Sequence, residues 1–270
     1  LMEGYLAWKW GTQASLAGGH PYATASPGAY GGSSSWSVSG PRSVTVSGGS
    51  DALSGVGSYD YRTSTDGGVT WGAPQSGSSV SVNTDGETLV QFRANDNAGN
   101  VSAWAPSAGT AAATIRIDRV APSVSISGAN GTWSSAASVT VTGTASDASS
   151  GVGTTQYRTS TNGGAWTSPS TGTSVTVSAE GETLVEFRAT DVAGNVGAWT
   201  TSASGGSGSV RIDRSAPTGT PVLTGATGAW SSAASATVTA AGSSDAGSGI
   251  AGLQSRTSAN GGGTWSSPAA

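Results

Sequence analysis

Apolar residues along this chain recur at every second position rather than at every third or fourth. Ser138-Val139-Thr140-Val141-Thr142, Ser174-Val175-Thr176-Val177 and Ser209-Val210-Arg211-Ile212 alternate polar with apolar, the period-2 signature of a half-buried strand. In Thr183–Ala189 the same rhythm puts Val185, Phe187 and Ala189 on one face and Glu186 and Arg188 on the other. Asn-Gly, Asp-Gly and Gly-Gly pairs stand between these runs and supply the positive φ that tight hairpin turns need. No stretch keeps a helical period. The expected class is all-β, an antiparallel sandwich of about seven strands per unit, with a core of Val, Ile, Phe and one or two Trp.

The strand pattern itself repeats. Tyr61-Arg62-Thr63-Ser64 returns as Tyr157-Arg158-Thr159-Ser160, and Val90-Gln91-Phe92-Arg93-Ala94 as Val185-Glu186-Phe187-Arg188-Ala189. Arg116-Ile117-Asp118-Arg119 with Pro122 returns as Arg211-Ile212-Asp213-Arg214 with Pro217. A third copy matches through Trp230, Asp245, Gly249, Arg256 and Trp265. The period of about 95 residues is too long for a solenoid turn or a propeller blade and suits one small domain per copy. The expected organisation is an unmatched segment 1–33, a first repeat 34–121, a second 122–216 and a truncated third 217–270. Proline fixes φ and ends ladder pairing, so Pro122 and Pro217 suit short, stiff junctions. Residues 1–33 carry Met2, Lys9, His20 and the Trp8/Trp10 pair. Either a different domain ends there, or the reading frame is wrong upstream of about Ser33.

Composition narrows the function classes. Charged residues are 10% of the chain and the net charge is −4, against a nucleic-acid binder, which needs a Lys/Arg-rich face. Low net charge also argues against charge-driven disorder. The 43 glycines and the scarcity of Leu, Glu and Lys argue against helices. Without cysteine there is no disulfide, thiolate zinc site or cysteine nucleophile. No apolar run approaches the roughly 18 residues of a membrane span.

Several motifs together resemble a known group. They are Asp147-x-x-Ser150-Gly151-Val152, a Tyr-Arg strand with a Gly-Gly hairpin and Trp, and Gly-Glu-Thr ahead of a Phe-Arg strand. Asp191-x-Ala193-Gly194-Asn195 and the closing Ile-Asp-Arg-x-Ala-Pro complete the series. The region from about 34 to 270 resembles the bacterial immunoglobulin-like repeats found in tandem in large secreted and cell-surface proteins. The resemblance implies tandem Ig-like sandwiches acting as a spacer or adhesive stalk, and it implies no catalytic residue. A second likeness lies in Ser64-Thr65-Asp66-Gly67-Gly68-Val69-Thr70-Trp71, which is similar to the Asp-box of sialidase-like propellers. Its physical content is a hairpin in which Asp caps the turn, Gly takes the left-handed position and Trp packs over it. The repeat spacing and the lack of an Arg cluster with a Tyr/Glu pair argue against a sialidase.

Candidate chemistry is thin. A Ser-His-Asp triad would need His20, which lies outside every repeat. Glu180 and Glu182 flank one glycine, as do Asp85 and Glu87, and a glycosidase pair must face across a cleft. Asp96, Asp118, Asp191 and Asp213 are the residues a calcium ion would use. Hard cations want six to eight oxygens, the flanking arginines would repel the ion, and Asx capping explains these aspartates without metal. No catalytic, cofactor or metal site is therefore expected. Trp36, Trp133 and Trp230 recur once per unit, as do Trp71, Trp166 and Trp265, which fits packing better than a sugar platform. The sequons at Asn100 and Asn130 matter only in a glycosylating host.

The expected function is a non-enzymatic spacer or adhesive segment of an extracellular bacterial array at the cell surface. Its partners would be neighbouring repeats of the same chain, with surface glycans or proteins beyond them. The alternative is a set of accessory carbohydrate-binding modules of a secreted polysaccharide-active enzyme. Residues 217–270 lack counterparts of Val175, Val177, Val185, Phe187, Val210 and Ile212, so they are expected to be the least stable region.

Overall fold

The computed structural model describes residues 26–200, 202–226 and 228–269. The expectations placed on residues 1–25, including Met2, Lys9, His20 and the Trp8/Trp10 pair, lie outside the described residues. Among the described residues the fold is all-β, apart from one short 3-10 turn at Ala111–Ala113. Among the described residues no helix is long and apolar enough to cross a membrane.

In the first repeat one sheet joins β1 (Gly28–Tyr30), β2 (Arg42–Ser47) and β5 (Ser79–Val82) in that order; β1 comes from the segment 1–33 expected to match no repeat, and its pairing with β2 carries this repeat back ahead of residue 34. The other runs β4 (Gln75–Ser76), β3 (Val56–Ser64), β6 (Gly86–Asp96) and β7 (Thr114–Ile117). These neighbours pair antiparallel, for instance Val44 opposite Val80 and Tyr61 opposite Phe92. One core unites the sheets: Val44 and Val80 from the first meet Val90, Phe92, Ile115 and Ile117 from the second. Alternation explains the selection, since every second residue of β2, β6 and β7 points inward. Seven strands in two facing antiparallel sheets make an Ig-like sandwich.

The second repeat is built likewise. Its sheets run β13 (Ser174–Val177), β10 (Val139–Ser146), β8 (Ser123–Ser127), and β12 (Ser170–Thr171), β11 (Val152–Thr161), β14 (Gly181–Asp191), β15 (Ser209–Ile212), β9 (Trp133–Ser134). The β9–β15 pair is parallel. Val141, Val185, Phe187 and Ile212 are fully buried. Beyond Pro217, β16 (Val222–Thr224) and β17 (Thr239–Ala241) form a two-stranded antiparallel sheet. Val238 is 51% exposed, whereas Val141, its counterpart in the second repeat, is 0% exposed.

Spatially the chain groups into two compact units. The first runs through Val124 and takes in Ala145–Thr155 and Arg188–Trp199. The second takes Ser125–Thr144, Gln156–Phe187 and the residues from Thr200 on. The first unit reaches into the second repeat because Asp118 is hydrogen-bonded to Ser150 and Asn195 there.

The tryptophans expected in the core are elsewhere. Phe92 and Phe187 already fill the inner positions, and the indoles cover arginine stems that alternate outward along the strands. Arg62 lies 4.8 Å from the ring centre of Trp71 and 4.5 Å from that of Trp104, and Arg93 lies 4.8 Å from Trp104. Arg158 on Trp166, Arg188 on Trp199 and Arg256 on Trp265 repeat the arrangement. Guanidinium over indole combines attraction to the ring face with cover for the apolar stem.

Candidate functional site

Three aspartates converge where the first repeat closes. Asp118, Asp147 and Asp191 each offer a carboxylate oxygen within 4.8 Å of the others, with Asp118 and Asp191 buried and Asp147 half-buried. Local turns place each one. Asp191 starts the Asp-x-Ala-Gly-Asn turn: its Oδ1 accepts the N–H groups of Gly194 (2.6 Å) and Asn195 (2.7 Å). Gly194 there has φ of 104°, a conformation that favours glycine. Asn195 Nδ2 donates to Asp191 Oδ2 at 2.7 Å and to the Asp118 carbonyl at 2.9 Å. Asp147 Oδ1 caps its own turn through the N–H groups of Ser149 and Gly151. Asp118 comes from the end of β7: its N–H donates to the Ser37 carbonyl, and its carboxylate accepts from Val120 N and Ser150 N. Burial pushes the Asp118 carboxyl up, but hydrogen bonds from Ser150 and Val120 outweigh it and hold the group below the ordinary range.

Chemically this is a tie. One aspartate joins Ser37, between β1 and β2 of the first repeat, to Ser150 and Asn195 in the second. Five of the six carboxylate oxygens accept N–H donors, as Asx capping requires. The arginines expected to repel a cation are turned away: Arg116 pairs with Glu87 and Arg119 with Asp85.

The other candidates sit apart from this cluster. Asp96 caps its own turn through Ala98, Asn100 and the Asn100 side chain. Asp213 repeats the role of Asp118, with its Oδ2 accepting Ser248 N at 2.7 Å while Asp245 caps through Gly247 and Gly249. Sequence reasoning passed over Asp147, Ser150 and Asn195 as partners of Asp118. The signal was present, because Asp-x-x-Ser-Gly recurs at Asp51, Asp147 and Asp245.

The paired glutamates have separate partners. Glu182 lies on β14, where it accepts from Ser209 (2.7 Å), Ser204 (2.8 Å), Gly205 N (3.0 Å) and Arg211 (3.1 Å). The Ser209 bond, with the others, brings its carboxyl down to about 2. Glu180 instead pairs with Arg214. The Asp-box-like hairpin is a turn. Asp66 receives Thr70 N and the Thr70 hydroxyl, Ser64 Oγ receives Gly68 N, and Trp71 Nε1 donates to the Gly68 carbonyl. The Thr70 bonds hold the Asp66 carboxyl well below the ordinary range.

No family model matches this chain, and no curated protein matches it. Solved structures to which it is similar include the fibronectin(III)-like modules of CbhA from Clostridium thermocellum. They share 12% identity at a TM-score of 0.27, over 68% of this chain and 89% of that one. The FN1–FN3 domains of chicken CNTN1 share 13% identity at a TM-score of 0.24, over 66% of this chain and 62% of that one.

Proposed function

We propose that the chain is a non-enzymatic segment of an extracellular bacterial array, a spacer or adhesive stalk at the cell surface whose work is mechanical reach. Its units are the first repeat, counted from β1, and the repeats 122–216 and 217–270. The observation that carries this reading is that each full repeat buries its own apolar set, Phe92 with Val44 in one and Phe187 with Val141 in the other. Added units then add length rather than chemistry. The polar groups that converge at Asp118 are spent on turn caps, which suits a joint better than a reaction centre. Neighbouring repeats of the same chain are the first partners, with surface glycans or proteins beyond them. Small-angle scattering of the chain tests the reading: a rod-like profile is expected, and a compact globe would overturn it.

A further inference from the structure

A cleft of about 160 Å³ opens on the first repeat. Ser33, Ser35 and Trp36 line it from the loop before β2, Arg42 from the first residue of β2, and Arg116 from β7. It is smaller than the roughly 300–1,000 Å³ that engulfs a drug-sized ligand. A cleft of this size takes one group of a longer molecule.

The two arginines differ in what remains free. Arg116 is spent: it pairs with Glu87 at 2.6 Å, donates to the Ser34 carbonyl and lies over the Trp36 ring. Arg42 has no carboxylate partner among the described residues. Its Nε and Nη2 donate to Ser37 Oγ at 3.0 and 2.7 Å, and that nearly buried hydroxyl donates onward to the Ser39 carbonyl. The guanidinium is thus held on one edge by a neutral hydroxyl, and Arg42 lines the cleft as an exposed cation with N–H groups to spare for a second acceptor. Beside it stand a half-buried indole and two exposed serines. One uncompensated guanidinium matches one carboxylate. An aromatic face and hydroxyls match a ring that itself bears hydroxyls.

The second repeat supplies an internal contrast. Its corresponding cleft, about 200 Å³, is lined by Asn130, Thr132, Ser134, Val139 and Arg211, with Val139 where the first repeat has Arg42 and no aromatic ring in the lining. The same gap is present without the free cation.

We propose that the Arg42 cleft binds a uronate residue of an acidic polysaccharide, its carboxylate on Arg42 and its ring against Trp36. The proposal rests on the reading of the chain as an extracellular segment that meets surface glycans.

The test is an NMR titration of the full chain with trigalacturonate, following the tryptophan indole N–H signals. A saturable shift of the Trp36 signal at a Kd on the order of 1 mM is expected. Arg42→Val, which copies the second repeat, should weaken binding at least tenfold. If that variant melts early, Arg42→Gln serves, since it removes the charge and keeps a donor for Ser37. Three results would overturn the proposal: no shift at tens of millimolar, a Kd unmoved in both variants, or equal binding of a neutral galactose trimer, a sulfated oligosaccharide or a short poly-glutamate peptide. None of these would alter the scattering profile, so the site can fail while the array reading stands.

Discussion

Gly143→Ala probes the second core at its tightest point. Gly143 is buried in β10, and a Cβ added there would lie 2.5 Å from both Cγ and Cδ1 of Phe187 and 3.1 Å from its Cβ. Phe187 has no room to retreat, being fully buried and tilted against Tyr157 at 6.0 Å between ring centres. The Gly143 backbone is not in the left-handed region, so alanine is conformationally allowed. Restricting the unfolded chain would by itself gain about 0.4–1 kcal/mol. Overpacking costs about 1–3 kcal/mol, and the clash wins. The first repeat has Val46 at the corresponding position, half-buried against the Phe92 cluster, so a backbone that admits a side chain exists and the cost should stay inside that range. A net loss of about 1–2 kcal/mol lowers the melting temperature of a domain this size by about 5–15 °C. Differential scanning calorimetry measures it, with Phe187→Leu as a background in which the added methyl should cost less. Melting of Gly143→Ala at or above the parent temperature would refute the packing argument.

Three further outcomes are expected. Asp66→Asn should leave the first hairpin intact, because Asn260 makes the matching bonds to Ser258 and Thr264 in the third repeat; Asp66→Ala should speed amide exchange at Thr70, and equal exchange in both variants would contradict this. Glu182 is held at about 2 against an ordinary 4.5, so its contribution is complete above about pH 4.5 and is lost as pH falls toward 2. Urea midpoints should drop over that window and Glu182→Gln should flatten the drop; an unchanged slope in the variant would assign the acid sensitivity elsewhere. Residues 217–269 should show less hydrogen-exchange protection than 122–216, since Val238 and Trp230 are open where Val141 is buried and few apolar contacts hold the backbone; equal protection would overturn the expectation.

Strand positions and inward faces were legible because period 2 fixes which side chain points in. Val185 and Phe187 could be assigned to the core from alternation alone, and the structure buries both. The tryptophans were not, because recurrence once per repeat identifies a packed residue without saying on which side of the sheet it packs. Trp104 and Trp199 recur as faithfully as Trp71 and Trp166, yet the arginine partners that define them arrive from other strands. The aspartate cluster was hidden for the same reason. Asp118, Asp147 and Asp191 are far apart in sequence, and only the sandwich closes the distance.

The parallel β9–β15 pair has a consequence for tension. Arg211 and Ile212 lie alongside Trp133 and Ser134 in parallel register, so the last strand of the second repeat and the short strand that follows its first strand, β8, run side by side in one direction. The first repeat makes the same contact at Ser37 and Ile117. A chain pulled from its two ends drags these partners in opposite senses along their shared axis. The bridging bonds then bear the load together, in shear, whereas antiparallel hairpins pulled from their open ends unzip one bond at a time. Each full repeat therefore holds a shear-loaded contact between its last strand and the segment that follows its first strand.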